Sequence, residues 1–361
     1  MNALSFHAGP RALAHIRAHG LRAADVAVVP AAAGGPKGLI FQSLDQWLFG
    51  TWLPASPRER SLIGSSIGAW RMAAACHADP VAAFARLGEL YTNQRYSAKP
   101  DRQEIDRVCQ RLLADFIGGY EREVVNHPDY RLHLLTVRGL RALAAPPHAR
   151  AELTGFAVAS LLNLASRERL AHLLERVVVS DLRGAPHWMQ SGFDKFTTHF
   201  APLTENNLGT ALLASGTLPL IMAPVRSLAD APQGSYWDGG IIDYHLALPY
   251  SRLDEQEIVL YPHFTPHIVP GWLDKSMPWR WAGRGPNRGW MDNVLIVAPT
   301  PEFLRTLPRG KLPDRKDFKF HGTDHDARIS NWRHAIGEGG RLRDELAAFV
   351  QAPDMSRLQS L

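Results

Sequence analysis

A serine in a short glycine-flanked segment is the residue of this chain best suited to nucleophilic chemistry. Ser66 stands in segment 64–68, whose sequence is GSSIG, directly after two apolar residues. A serine with glycine two positions away on each side suits a sharp turn from a strand into a helix, where its hydroxyl is exposed. An ordinary N-cap serine is the alternative interpretation. Ser66 is therefore the candidate nucleophile, and Ser65 is less suitable because the glycines flank it asymmetrically.

A glycine-rich loop earlier in the chain predicts donors for a negatively charged oxygen. Gly34, Gly35 and Gly38 follow an apolar run, and glycine N–H groups can approach a substrate closely. Attack on an ester places charge on the carbonyl oxygen, and one preorganised donor typically lowers the barrier by about 3–4 kcal/mol. Pro36 has no N–H, so the donors must be Gly34, Gly35 or later residues. Lys37 could add positive potential, although a solvent-facing side chain is the simpler expectation. A phosphate cradle is the alternative, but neither standard nucleotide-binding glycine pattern is present.

Asp238 is the candidate base. It follows the apolar pair Tyr236-Trp237 and precedes two glycines that permit close backbone approach. A carboxylate touching the hydroxyl of Ser66 could take its proton directly, and partial burial should raise the carboxyl pKa and make it a better base. An ordinary Asp-Gly turn is the alternative interpretation of this position.

A histidine base is the usual partner of a serine nucleophile, and the chain has 16 histidines. An α/β-hydrolase would use a late one such as His263 or His325. In that fold the nucleophile turn follows several strands and helices, and about 65 residues is too short a lead at ordinary element lengths. The position of Ser66 therefore favours an aspartate base over a histidine.

The segments around these residues are predicted to form repeated strand–turn–helix units. Two such units within the first 80 residues predict a parallel sheet with helices on its faces. Helices are predicted over residues 10–19, 37–49, 67–77 and 207–215 from the spacing of apolar residues. Strands are predicted at residues 26–29, 61–63, 132–137, 177–180, 236–237, 258–261 and 294–297.

Two zones differ from this pattern. Residues 95–130 are polar and mostly helical, which suggests an excursion over the sheet. Residues 270–292 hold Trp272, Trp279, Trp281 and Trp290 among Arg280, Arg284 and Arg288. This second zone could be an interfacial patch or a lid. An irregular loop whose tryptophans pack on the core is favoured, because helical periodicity is absent.

Composition restricts the class of protein. The 361 residues are 45% hydrophobic, and two cysteines imply no disulfide framework. Neither a secretory signal nor a long apolar run is visible, so a cytoplasmic protein is expected. The net charge of +5 is spread along the chain, which leaves peripheral contact with an anionic lipid surface open. No motif indicates a nucleic-acid partner.

Metal binding is not expected. The pairs His263/His267 and His321/His325 have a spacing that would suit a metal on one helix face. Prolines interrupt the first pair and Gly322 weakens the second, so both spacings are explained without a ligand.

The ordered set of glycine loop, serine turn and late Asp-Gly-Gly resembles the patatin-like phospholipase family. Residues 211–219, followed by Pro224, are also similar to a stretch that precedes the family's aspartate, and the resemblance spans roughly residues 25–250. It implies a three-layer α/β/α fold with a mostly parallel central sheet. It also implies one domain over residues 1–361, with a core over about 25–250 and a C-terminal extension over about 251–361.

The same resemblance implies a Ser–Asp dyad without a catalytic histidine, metal or organic cofactor. By position, Ser66 would be the nucleophile, Asp238 the base, and Gly34, Gly35 and Gly38 the oxyanion loop. Such enzymes cleave acyl esters of lipids through an acyl-serine. A thioesterase or acyltransferase with the same dyad, and a non-catalytic lipid- or anion-binding protein, remain alternatives.

Several residues depart from the family pattern. The loop opens with two alanines instead of an aspartate and a glycine, and the bulky Trp70-Arg71 follow the serine turn. Residues 241–244 lack the asparagines often found after the aspartate. These changes leave the dyad intact and the substrate open, so headgroup, chain length and oligomeric state are not predicted.

Overall fold

Ten β-strands form one sheet in the part of the chain that the computed structural model describes, which is residues 2–184, 186–190, 192–282 and 287–361. Most neighbouring strands are parallel, with antiparallel pairing only toward the two edges and at the short β7. The sheet order is β10-β1-β9-β8-β2-β3-β4-β5-β6, and β7 pairs with β4. The strands are β1 Leu4–Ala8, β2 Val26–Ala31, β3 Arg60–Ser65, β4 Tyr130–Gly139, β5 Leu174–Ser180, β6 Thr198–Pro202, β7 Tyr236–Asp238, β8 Ile258–Pro262, β9 Val294–Pro299 and β10 Leu358–Ser360.

Helices flank the sheet and complete a three-layer α/β/α fold. The central strands are buried over nearly their full length, as expected for parallel strands covered on both faces. The α-helices are α1 Pro10–His19, α2 Gln42–Trp47, α3 Ile67–Ala75, α4 Pro80–Thr92, α5 Arg102–Ile117, α6 Glu121–Val125, α7 Ala149–Ala165, α8 Leu208–Gly216, α9 Pro301–Thr306, α10 Lys316–His321, α11 His325–Glu338 and α12 Gly340–Gln351. No helix among the described residues is long and apolar enough to cross a bilayer.

The segment predicted as a helix over residues 37–49 consists of three successive helix types. It begins as a 3-10 helix at Gly35–Phe41, continues as α2, and widens into a π-type turn at Leu48–Trp52. Glycines in the first turn weaken α-helical propensity, and tighter 3-10 winding is common at helix starts. The apolar spacing predicted a helical segment correctly but not its winding.

The pairing along β4 brings two distant parts of the chain together. β3 runs beside the first half of β4 and ends with Ser65 opposite Leu135. β7 runs beside the second half in the opposite direction, with Asp238 opposite Thr136. β3 and β7 therefore meet end to end beside one strand, and the turn after Ser65 lies next to Asp238.

The C-terminal part of the chain belongs to the same sheet, since β8, β9 and β10 all lie beyond residue 257. β1, β6 and β10 are not among the predicted strands, although the alternating burial of β1 is the pattern of a half-covered strand. α5 and α6 match the helical expectation for residues 95–130.

The tryptophan-rich zone at 270–292 contains short 3-10 turns at Trp272–Asp274 and Pro278–Arg280. Trp272, Trp281 and Trp290 pack against the core, as the interpretation of an irregular loop predicts. Trp279 differs, because it is 67% exposed. Arg284, which belongs to the same zone, lies outside the described residues.

Candidate active site

The side chains of Ser66 and Asp238 are in direct contact. Ser66 Oγ donates a hydrogen bond of 2.6 Å to Asp238 Oδ2, although 172 residues separate the two in sequence. Both residues are nearly buried, with 3% and 5% of their surfaces exposed. A short bond from a hydroxyl to a carboxylate is the geometry that direct proton transfer requires.

The backbone at Ser66 makes the turn that the glycine spacing predicts. Its φ of 56° and ψ of −129° lie in a region that costs a non-glycine residue about 1–3 kcal/mol. A Cβ at Gly68 would lie 1.9 Å from the carbonyl oxygen of Ala31, and one at Gly64 would lie 2.4 Å from the backbone nitrogen of Ala69. Both glycines are therefore required for the close packing that holds this strained turn.

Backbone and side-chain bonds fix the position of Asp238. Its Oδ1 accepts a 2.7 Å bond from the Gly240 N–H, and its own N–H donates to the Thr217 carbonyl at 2.7 Å. Next to it, Thr136 Oγ1 donates to the Trp237 carbonyl. A Cβ at Gly239 would lie 2.3 Å from the Leu135 carbonyl oxygen, which explains the first glycine after the aspartate.

Burial raises the pKa of the Asp238 carboxyl above its ordinary value of 3.8. Arg315, the hydrogen bond from Ser66, the Gly240 N–H and Lys275 all oppose this effect without cancelling it. The result is a carboxylate with more basic character than an exposed aspartate.

A second serine, which sequence reasoning missed, supports the turn. The Ser66 N–H donates to Ser215 Oγ at 2.9 Å, and Ser215 Oγ donates to the Leu135 carbonyl at 2.6 Å. This relay ties the turn to the end of α8 and to β4. The Ser66 amide is thus engaged, and an oxyanion would need other donors. Ser215 falls in the segment 211–219, whose family resemblance was the only sequence signal for it.

The glycine loop contains two backbone N–H groups that are not engaged within the described chain. Neither the Gly34 nor the Gly35 N–H donates a hydrogen bond to another residue of the described chain. Gly34 lines the same cavity as Ser66 and Asp238. Gly38 lies further along the 3-10 helix, where it packs against Ile67 and Arg71 and is not part of the cavity wall.

Lys37 does not face bulk solvent, contrary to expectation. Its side chain is half-buried, its ammonium lies 4.7 Å from the centre of the Phe264 ring, and it lines the cavity beside Ser66. The expectation of exposure rested on residue type, because lysine side chains are mostly exposed in proteins.

The alternative catalytic residues form no hydrogen bond with the dyad in the described chain, although His325 lines a cavity that also contains Ser66. Ser65 Oγ is buried beneath Gly239. His325 bonds to the Tyr96 carbonyl, and His263 bonds within its own loop to Thr265. No histidine of the described chain hydrogen-bonds to the dyad, and no three described His, Cys, Asp or Glu side chains converge as a metal site requires.

Two cavities meet at Ser66, and the wall between them includes Leu218 and Arg315. The larger has a volume of about 490 Å³ and a mainly apolar lining that runs between α5, α8 and α10. The smaller, of about 190 Å³, contains Asp238 and several cations. The nucleophile thus stands between an apolar and a charged compartment.

The bulky pair after the serine turn has structural partners. Trp70 lines the larger cavity, donates to the Leu212 carbonyl and stacks on Phe116. Arg71 forms a buried two-point ion pair with Asp45 of α2. These departures from the family pattern therefore shape the cavity wall and tie α3 to α2.

Comparison with known families matches the chain to one family model. The model, described as patatin-like phospholipase, aligns with residues 54–248, which is more than half of the chain. The match includes Ser66 and Asp238, whereas the glycine loop precedes it. No curated protein matches the chain. The chain belongs to the patatin-like phospholipase family.

Proposed function

We propose that this protein is a serine acyl hydrolase that cleaves ester bonds of lipids, with Ser66 as nucleophile and Asp238 as base. The observation that carries the proposal is the 2.6 Å bond between the two buried side chains. Membership of a family of lipid acyl hydrolases supports the general class of reaction.

The reaction has two steps. Ser66 Oγ attacks the ester carbonyl carbon while its proton passes to Asp238 Oδ2, and the N–H groups of Gly34 and Gly35 stabilise the oxyanion. The tetrahedral intermediate then expels the alcohol, which takes the proton from Asp238, and an acyl-serine remains. Water attacks the acyl-serine with Asp238 again accepting a proton, and the fatty acid leaves as Ser66 recovers its hydrogen.

The acyl chain would occupy the larger cavity. Its lining is mainly apolar and includes Ile67, Trp70, Leu112, Leu213 and Ile221. Burial of a chain there is favourable by about 0.8 kcal/mol per methylene. A thioesterase or acyltransferase would use the same acyl-serine and cavity and would differ only in the leaving group or acceptor.

Labelling with a fluorophosphonate tests the proposal. A single covalent adduct on the peptide that contains Ser66 is expected in the folded protein, because only an activated serine attacks this reagent. Ser65→Ala should label normally, while Ser66→Ala and heat-denatured protein should not. An intact protein that fails to label would indicate the non-catalytic binding alternative.

We further propose that α7 brings the enzyme to a lipid surface. Leu153, Val158, Leu161 and Leu164 are exposed along this helix and share one face at helical spacing. Glu152, on the buried side of α7, accepts a hydrogen bond from the Leu220 N–H, which places the segment around Leu220 beside this helix. The adjacent Ile221 is exposed and also lines the larger cavity. An apolar face that leads into an acyl-chain cavity suits the interfacial region of a bilayer.

The double variant Leu161→Glu/Leu164→Glu should lose about tenfold or more of its activity on phospholipid vesicles, because two charges would have to enter the interface. Its activity on p-nitrophenyl butyrate in solution should remain unchanged. Leu182→Glu is a matched control: Leu182 is similarly exposed but follows β5 near the start of β4, at the end of the sheet opposite Ser66. Equal loss on both substrates, or the same vesicle defect in the control, would argue against a role for α7.

A further inference from the structure

Arg315 lies at the junction of the two cavities. Together with Ser66 and Leu218, it lines both the larger apolar cavity and the smaller one that contains Asp238, which we call the cationic cavity. Among the described residues it is the only charged side chain that lines both. An ester whose acyl chain fills the larger cavity must react at this junction, beside Ser66. The reacting carbonyl group therefore comes close to the arginine.

Arg315 also lies against the glycine loop. A Cβ built at Gly35 would lie 3.1 Å from Arg315 Nε and 3.6 Å from its Cζ. Gly35 has a φ of 57°, and neither its N–H nor that of Gly34 donates a hydrogen bond within the described chain. The guanidinium is thus in contact with the loop that carries the two free backbone donors.

A buried carboxylate fixes the backbone that carries Arg315. Asp317, two residues later, is 4% exposed and accepts a 3.0 Å bond from the Asp314 N–H. It also accepts bonds from Lys311 Nζ at 2.7 Å and from Trp332 Nε1 at 2.9 Å. Trp332 belongs to α11 and is itself buried, so this network anchors the start of α10 to the core. A group held in this way is preorganised for a charge that develops during a reaction.

The guanidinium of Arg315 itself forms no hydrogen bond or ion pair with the described residues. The two carboxylates of the cationic cavity have other partners, since Asp238 bonds to Ser66 and Asp314 pairs with Lys311 at 3.1 Å. The N–H donors of the guanidinium therefore remain available to a ligand. Arg315 is exposed to solvent at the junction. A substrate that spans both cavities would cover it, and exclusion of water strengthens electrostatic interactions.

We propose that Arg315 is a further catalytic residue, whose guanidinium donates to the oxyanion of the tetrahedral intermediate together with the N–H groups of Gly34 and Gly35. The inference rests on the proposed function and deepens it. The negative charge is absent from the ester and develops as Ser66 attacks, so Arg315 stabilises the intermediate more than the bound substrate. Arg315 lies outside the family-matched residues 54–248, so this donor belongs to a part of the chain that the family model does not describe.

The same cation also acts on the base. Burial raises the pKa of Asp238, and Arg315 opposes this effect more than the hydrogen bond from Ser66 or the charge of Lys275 does. The other titratable side chains that line the cavity with Asp238 are Lys37, Tyr244, Lys275, Asp314 and Lys316. Removal of Arg315 should raise the pKa of Asp238 further and make it a stronger base once ionised. A lower rate at a pH where Asp238 is ionised would therefore report the lost oxyanion donor and not a weaker base.

Kinetics on p-nitrophenyl butyrate, a neutral soluble ester, test the inference. At a pH where Asp238 is ionised, Arg315→Gln should lower kcat by about 10²-fold, the lower end of the range for loss of one oxyanion donor. KM should change by less than about twofold, because the uncharged carbonyl of the substrate gains little from the cation. Arg315→Lys keeps the charge but not the planar donor geometry, so its loss should be only about tenfold.

The pH profile and chemical rescue provide readouts that a merely structural role would not move. The acid limb of kcat/KM should shift to higher pH in Arg315→Gln and stay in place in Arg315→Lys. Methylguanidinium chloride should restore kcat of Arg315→Ala several-fold, whereas the same concentration of sodium chloride should not. The native enzyme should gain nothing from either salt. Arg305→Gln serves as control, because Arg305 is an exposed arginine of α9 paired with Glu302.

The outcomes separate this inference from the proposed function. If the native protein hydrolyses the ester and Arg315→Gln keeps its kcat where Asp238 is ionised, the inference is wrong and the hydrolase proposal stands. A raised KM with unchanged kcat would also overturn it, since Arg315 would then act in substrate binding alone. Native protein that neither hydrolyses the ester nor labels with a fluorophosphonate would refute the proposed function itself.

Discussion

Ser66→Ala should reduce kcat for ester hydrolysis by at least about 10⁴-fold, in the range found when other serine hydrolases lose their nucleophile. The change removes the only hydroxyl that contacts the Asp238 carboxylate within the described residues. No acyl-serine could then form. The variant should fold normally, because the Ser66 N–H bond to Ser215 and the turn geometry do not depend on the hydroxyl. The measurement is kcat on p-nitrophenyl butyrate, with circular dichroism to check folding.

Ser65→Ala is the matched control for this experiment. Ser65 Oγ is fully buried beneath Gly239 and makes no hydrogen bond in the described chain. Its removal should leave kcat within about threefold and alter stability only modestly. More than a few per cent residual activity in Ser66→Ala, or a severe loss in Ser65→Ala, would require a different nucleophile.

Much of the fold could be predicted because its signals are local. The strand at 26–29 and the serine turn combine short β-prone runs with glycines at fixed positions, and the structure contains β2 and β3 there. The mostly parallel sheet follows from the same repeated units. β10 has only three residues and gives too weak a signal to be identified.

The proximity of Ser66 and Asp238 has a different origin. Nothing local in the chain specifies it, and the expectation came from the order of motifs in a known family. The structure supplies the physical reason, which is that β3 and β7 occupy consecutive positions beside β4. Such register depends on long-range pairing that a single sequence does not reveal.

Neither the cationic cavity nor the apolar face of α7 could be predicted from the sequence, for related reasons. Lys275 and Arg315 look like ordinary surface charges until the fold brings them to one cavity. The residues of α7 are predominantly apolar around the helix, so their pattern does not separate an exposed face from a buried one. In both cases the property, cavity charge or exposure of a helix face, depends on which residues the tertiary fold places next to these side chains.

Asp238→Asn should reduce hydrolysis by about 10⁴-fold, as in other hydrolases whose orienting or accepting aspartate becomes an amide. The same substitution should stabilise the fold. An amide cannot accept the proton of Ser66, but it can satisfy both existing bonds: its oxygen accepts from the Gly240 N–H and its nitrogen donates to Ser66 Oγ. The native carboxylate, by contrast, is destabilised by burial, which raises its pKa. Loss of that cost should raise Tm by about 1–3 °C for each kcal/mol gained.

The pH dependence separates the two effects of Asp238. In the native enzyme, kcat/KM should fall as pH decreases through the raised pKa of Asp238, because the protonated acid cannot act as base. The midpoint should therefore lie above the ordinary aspartate value of 3.8.

The stability of the native protein should instead increase as pH falls through the same range. A folded-state pKa above the unfolded one means that protonation favours the fold. The Tm difference between Asp238→Asn and the native protein should thus be largest at neutral pH and should close as pH falls toward 3.8. A Tm difference that does not change with pH, or an acid limb of activity below 3.8, would show that burial does not raise the basicity of Asp238.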